Sequence, residues 1–248
     1  MKLNITIDGT NYLADLSTPI DISIPLRGGS SNPSAWNLEA PQIEPVQFGD
    51  WVGKVSKGAS VNFNTITFNP HAHGTHTESL GHISSDFNSV NDALKKYFFR
   101  AFVITVKPKH IEKDLVITKD IIEEQLGEQV PEALIVRTLP NEITKRTQNY
   151  NKSNWPYIEE KAALFIREIG IDHLLIDTPS IDKEDDDGKL LAHKAFWNYP
   201  EDPRHHSTIT EMIFVPDHIK DGDYLLSLQI APFHNDASPS RPVLYELK

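Results

Sequence analysis

The 248-residue chain carries 24 Lys and Arg against 35 Asp and Glu, a formal charge of −11, with 39% apolar residues and no cysteine. That composition is globular and long enough for one sizeable core, while the negative field disfavours nucleic-acid and anionic-lipid partners. The lack of Cys excludes a disulfide scaffold, a thiolate metal site and a cysteine nucleophile. No apolar run approaches the roughly 18 residues of a membrane span, and the N-terminus lacks a signal-like apolar stretch. The expectation is a cytoplasmic protein with a single domain over residues 1–248 and no membrane partner.

In chain order, alternating Leu3, Ile5 and Ile7, the Asp8-Gly9 turn and Tyr12 to Leu16 predict a hairpin. Residues 21–48 are rich in Pro, Gly, Ser and Asn and read as a long loop carrying Trp36. Residues 61–68 alternate and read as a strand running into a histidine cluster, and Ala101–Val106 as a buried strand. Thr118 opens a predicted helix to Leu126, and Ala133–Val136 predicts a buried strand ending at Arg137. Tyr157 to Ile169 has helical spacing between Pro156 and Gly170, followed at once by the apolar strand Leu174–Ile176. The acidic run over 183–189 predicts a solvated turn, and residues 224–230 and 242–247 predict late strands. The order is mixed α and β.

Histidine is the outlying residue type, with 11 copies unevenly spread: His71, His73, His76 and His82 lie close together, as do His193, His205 and His206. In the first cluster, imidazoles and Glu78 at short spacing around Gly74 are metal-ligand chemistry suited to Zn, Mn or Fe(II). If the segment is extended, His76 and Glu78 point to one side. His82 is then either a second-metal ligand or a proton shuttle. Asp177, Ser180 and Asp182 close a strand, where a turn and helix cap is the ordinary role. No Gly-x-Ser-x-Gly elbow accompanies them, which disfavours a serine hydrolase.

Gly74-Thr75-His76-Thr77-Glu78-Ser79-Leu80-Gly81-His82 resembles the signature of the metal-dependent cyclase/hydrolase family that includes bacterial kynurenine formamidase and isatin hydrolase, His-x-Gly-Thr-His-x-Asp-x-Pro-x-His. Asp15-Leu16-Ser17-Thr18-Pro19-Ile20, Leu134-Ile135-Val136-Arg137-Thr138, Gly170-Ile171 and Ile176-Asp177-Thr178-Pro179-Ser180-Ile181-Asp182 resemble further family segments. The resemblance implies an α/β fold with a mixed, barrel-like sheet and flanking helices. It also implies a homodimer or homotetramer in which a partner's N-terminal segment approaches the site. It makes His76 a ligand, Glu78 the metal carboxylate in place of Asp, His82 the general acid/base, and His193 and Glu211 the remaining ligands of one or two Zn or Mn ions. His206 is the rival to His193, with a solvated loop as the ordinary reading of the His205-His206 pair.

Three positions depart from the signature: Ala72 stands where the family has its first histidine, Glu78 replaces Asp, and Leu80 replaces Pro. Either His71 or His73 then supplies the missing ligand through a one-residue bulge, with His71 slightly preferred, or the first metal loses a ligand. The implied activity is hydrolysis of a small arylformamide or cyclic amide. Trp36, Phe196 and Trp197 are candidates for an aromatic substrate wall, with core packing as the alternative for each, and Arg137 for a substrate carboxylate, with a structural ion pair as its alternative. The competing readings are a non-catalytic metal-binding protein of the same fold and a lactone-opening or dehydrating cyclase.

Overall fold

A computed structural model describes residues 1–7 and 9–248; the turn residue Asp8 lies outside them. A nine-stranded sheet organises the chain: β1 (Ile20–Asp21), β2 (His76–Glu78), β3 (Phe98–Val106), β4 (Ala133–Thr138), β5 (His173–Ile176), β6 (Thr208–Glu211), β7 (Gly222–Ser227), β8 (Ala237–Pro239) and β9 (Val243–Glu246). Their spatial order is β8-β2-β6-β5-β4-β3-β7-β9-β1. The central four, β3 to β6, run parallel, and every other pairing is antiparallel. The sheet curls into the half-barrel, with few helices, that the family resemblance implies.

Among the described residues four α-helices join these strands: α1 (Val90–Ala93), α2 (Lys119–Leu126), α3 (Glu160–Glu168) and α4 (Leu191–Trp197). Parallel strands need crossovers, and α2 and α3 supply the helices before β4 and β5. The central strands read as unbroken apolar runs because both faces are covered. Leu134 and Val136 of β4 pack with Ile122, Ile166 and Phe196 on the helical side. Ala133 and Ile135 face a second core containing Phe99, Leu226 and Leu244.

The hairpin is present as Lys2–Ile7 paired with Thr10–Asp15. Elsewhere tertiary pairing overrides local pattern. Tyr157–Ile158 is not helical but a short strand lying parallel to Val116–Ile117, so α3 begins at Glu160. The long loop holds short strands, Gln42–Pro45 paired with Asn64–Thr67 and Gln47–Phe48 paired with Trp51–Val52. Asn64–Thr67 is fully exposed and lies outside the main sheet, and the histidine segment supplies a strand of its own, β2.

Candidate metal centre

Three elements converge on one buried cluster. In β2 the twofold alternation puts His76 and Glu78 on one face while Thr77 turns away and bonds Thr210 at 2.8 Å. Antiparallel register places Glu211 of β6 directly across from His76, with Nε2 and Oε2 3.4 Å apart. His193 enters from the first turns of α4, its Nε2 3.1 Å from Glu78 Oε1 and 3.8 Å from Glu211 Oε1. His71 reaches in from the loop, its Nδ1 3.1 Å from Glu78 Oε2. His82 follows β2 in a short turn, its Nδ1 3.8 Å from the same oxygen.

Glu78, His76 and His193 are almost completely buried, whereas His82 keeps 31% of its side chain exposed. Burial alone favours a neutral carboxyl at Glu78, but the charge of His82 and hydrogen bonds from His193 and His71 hold it well below the usual carboxylate range. Burial likewise works against charging His71 and His193. The carboxylates of Asp236 and Glu78 raise His71 to about 10, and those of Asp182 and Glu78 do the same for His193. The cluster thus gathers negative charge that must be neutralised by protons or by a cation.

One atom distinguishes those alternatives: His76 Nε2 is buried without a hydrogen-bond partner, which is costly unless another group satisfies it. His76 Nδ1 lies 3.0 Å from the Gly74 carbonyl, so its proton is donated there and the Nε2 lone pair is bare. The ligand atoms of His71, His76 and Glu78 lie within 4.8 Å of one another, as do those of Glu78, His82 and His193. A nitrogen-and-oxygen donor set of this kind fits a divalent transition metal.

The structure therefore brings together His71, His76, Glu78, His82, His193 and Glu211. His73 stands apart, its Nδ1 accepting from the Asn69 N–H at 2.9 Å. His206 is exposed and pairs with Asp172 at 3.1 Å, while His205 lies 3.0 Å from Asn88 Oδ1. Two expected substrate contacts are not brought to the cluster. Arg137 is buried, its guanidinium engaged by Thr105, Asp221 and the carbonyls of Pro216 and Ile219, which leaves it a structural residue. Trp197 is fully buried, donates to the Ser207 carbonyl at 3.0 Å and packs behind His193 with ring centroids 5.5 Å apart. Trp36 is half-exposed and stands edge-on to Trp155, whose indole donates to the Asp182 carbonyl.

Sequence reasoning missed two carboxylates. Asp182 does cap α4, accepting the N–H groups of Ala192 at 2.9 Å and His193 at 3.1 Å, but it also holds His193 Nδ1 at 2.6 Å. Its place in the Ser180-Ile181-Asp182 segment was the available signal. Asp236 lies 2.9 Å from His71 Nε2 and 3.6 Å from His82 Nδ1. Nothing in the surrounding Asn235-Asp236-Ala237 announces that role.

The Cyclase family model matches residues 14–183. The chain is 30% identical over 232 residues to kynurenine formamidase of Bacillus mycoides (strain KBAB4), covering 91% of this chain and 96% of that protein. It is also 30% identical to the Bacillus anthracis kynurenine formamidase over the same shares. Among solved structures, isatin hydrolase A from Labrenzia aggregata superposes with a TM-score of 0.68 at 15% identity, over 92% of this chain and 93% of that one. A potential metal-dependent hydrolase with cyclase activity superposes at 0.66 and 18% identity, over 92% and 98%. With most of its length matched by the family model, and near-complete overlap with relatives at 30% identity, the chain belongs to the cyclase family.

Proposed function

We propose that this chain is a metal-dependent hydrolase that cleaves a non-peptide amide C–N bond in a small arylformamide or cyclic amide. The carrying observation is the orphaned His76 Nε2, ringed by nitrogen and oxygen donors with one part-exposed imidazole at the edge. The kynurenine formamidase relatives support the bond type.

His71, His76, Glu78, His193 and Glu211 would hold the metal, Zn or Mn. Glu78 would be the central carboxylate of that set, since its Oε1 faces His193 while its Oε2 faces His71 and His82. Such an ion, when bound, would acidify water to a pKa of about 7 and polarise a carbonyl. The protein's own task is to manage protons and position. His82, partly exposed at the edge of the cluster, takes the proton of the attacking water and returns it to the departing nitrogen. Asp182 fixes the orientation of His193 through Nδ1. Trp36 offers an aromatic face beside Trp155 for the aryl group.

We further assign the chain to the cytoplasm, as a single domain over 1–248 that forms a homodimer or homotetramer. Phe48, Val55, Val61, Phe63 and Ile66 of the 42–67 arm are all more than half exposed, an apolar surface suited to a second copy. No helix among the described residues is long and apolar enough to cross a membrane, and the −11 charge opposes nucleic acid. The test is purified protein loaded with Zn or Mn and offered formylkynurenine-like and cyclic imide substrates. Metal-dependent release of amine or ring-opened acid is expected. Stoichiometric metal without turnover would leave a binding protein, and turnover confined to lactones would place it among ring-opening cyclases.

A further inference from the structure

We propose that Asp236 is a positioning residue that makes His71 a metal ligand in place of the missing histidine at Ala72, and that holds His82 beside it. This rests on the metal-centre reading above. Ala72 is fully buried and offers no donor, so the neighbouring imidazole has to enter the cluster from a shifted backbone position.

A neutral imidazole has one N–H, and a ligand nitrogen must be the other one. In His76 the second nitrogen is occupied by the Gly74 carbonyl at 3.0 Å, and in His193 by Asp182 at 2.6 Å. His71 follows the same rule with Asp236, whose Oδ2 lies 2.9 Å from Nε2. With the proton given to Asp236, the Nδ1 lone pair faces the Glu78 side, 3.1 Å from Oε2. Each imidazole ligand therefore has an oxygen anchoring its far side, and for the displaced ligand that oxygen comes from 165 residues away.

The same carboxylate reaches the candidate acid/base. Asp236 Oδ2 is 3.6 Å from His82 Nδ1, and the His71 and His82 rings overlie one another with centroids 4.3 Å apart at 30°. Asp236 is itself held by the backbone. The Ser79 N–H donates to its carbonyl at 2.9 Å, and β8 starts at the next residue, with Ala237 opposite Glu78. Its position is thus tied to the strand that carries His76 and Glu78.

The test is the Mn²⁺ affinity of the full chain, measured by calorimetry for wild type, Asp236→Ala, Asp236→Asn, His71→Ala and the His71→Ala/Asp236→Ala pair, with thermal melts to verify folding. Loss of an outer carboxylate is expected to weaken Mn²⁺ binding by about 10–100-fold, as for comparable metal-ligand partners. Asp236→Asn should recover part of this loss, because its amide oxygen still accepts from Nε2. In the His71→Ala background, removing Asp236 should cost nothing further. Affinity of Asp236→Ala within about twofold of wild type, or effects that multiply in the double variant, would overturn the assignment. A wild-type chain that binds no Mn²⁺ or Zn²⁺ would overturn the metal centre and this role together. Tight wild-type binding with independent effects would overturn only the role of Asp236.

Discussion

Asp182 and His193 are coupled twice: the carboxylate accepts the backbone N–H of His193 at 3.1 Å and contacts its ring Nδ1 at 2.6 Å. One side chain therefore caps the helix and orients the imidazole that it carries. Asp182→Asn should keep only part of the helix cap, since its single amide oxygen still accepts while its NH2 faces the other N–H donor. It should also weaken metal binding by about 10–100-fold through the lost charge on Nδ1. Metal titration alongside circular dichroism separates the two effects, and unchanged affinity would show that the ring contact is idle.

His193 and His206 give opposite expectations. His206 is exposed and pairs only with Asp172, so His206→Ala should leave metal content and kcat/KM within about twofold and stability within about 0.5 kcal/mol. His193→Ala removes a buried imidazole flanked by Glu78, Glu211 and Asp182, and both metal and activity should be lost. Metal analysis of the two purified variants is decisive.

His82 should behave differently from every ligand. Its substitution by Ala leaves His71, His76, Glu78, His193 and Glu211 in place, so bound metal should remain. The rate should fall by about 10²–10⁴-fold with the loss of the proton-transfer group. If His82→Ala retained full turnover, the acid/base role would be wrong.

The parts of this site that could be read in the sequence share one property: their geometry is local. His76 and Glu78 face the same way because a strand alternates, and Gly74, at φ 147°, lets the chain turn into that strand. The apolar central strands were equally readable because both faces are covered. What could not be read depends on distant register. Asp236 reaches His71 only because β8 pairs with β2, and Tyr157–Ile158 is extended only because Val116–Ile117 lies beside it. Arg137 and Trp197 illustrate the converse, since residue types common in binding sites are here engaged by carbonyls and core contacts.

Acid sensitivity should have a component remote from the metal. His173 of β5 is buried against Phe99 and Thr208, and burial pushes it down to about 4 from an ordinary value of 6.5. Above pH 6.5 both folded and unfolded forms are neutral, so nothing is lost. As pH falls towards 4 the unfolded chain takes the proton first, and stability declines by up to about 3 kcal/mol in total. Replacing His173 with Gln should flatten this part of the profile. Urea melts of both proteins between pH 7 and pH 4 measure it, and parallel curves would refute the assignment.

Gly81 sets the packing between His82 and Asp236. A Cβ placed there would sit 2.1 Å from the Asn88 carbonyl oxygen and 3.2 Å from the Asp236 Cβ, so the backbone of one segment must move. Because Gly81 immediately precedes His82, that movement shifts the Asp236–His82 relationship as well as the fold. Gly81→Ala should therefore destabilise the protein by about 1–3 kcal/mol, the usual range for overpacking. That corresponds to a lower Tm by about 2–4 °C for each kcal/mol in a chain of this size. Its kcat should also fall by more than the unfolded fraction explains, which assays well below Tm will reveal. A variant with a normal Tm and normal kcat would mean that the 81–88 contact relaxes without disturbing His82.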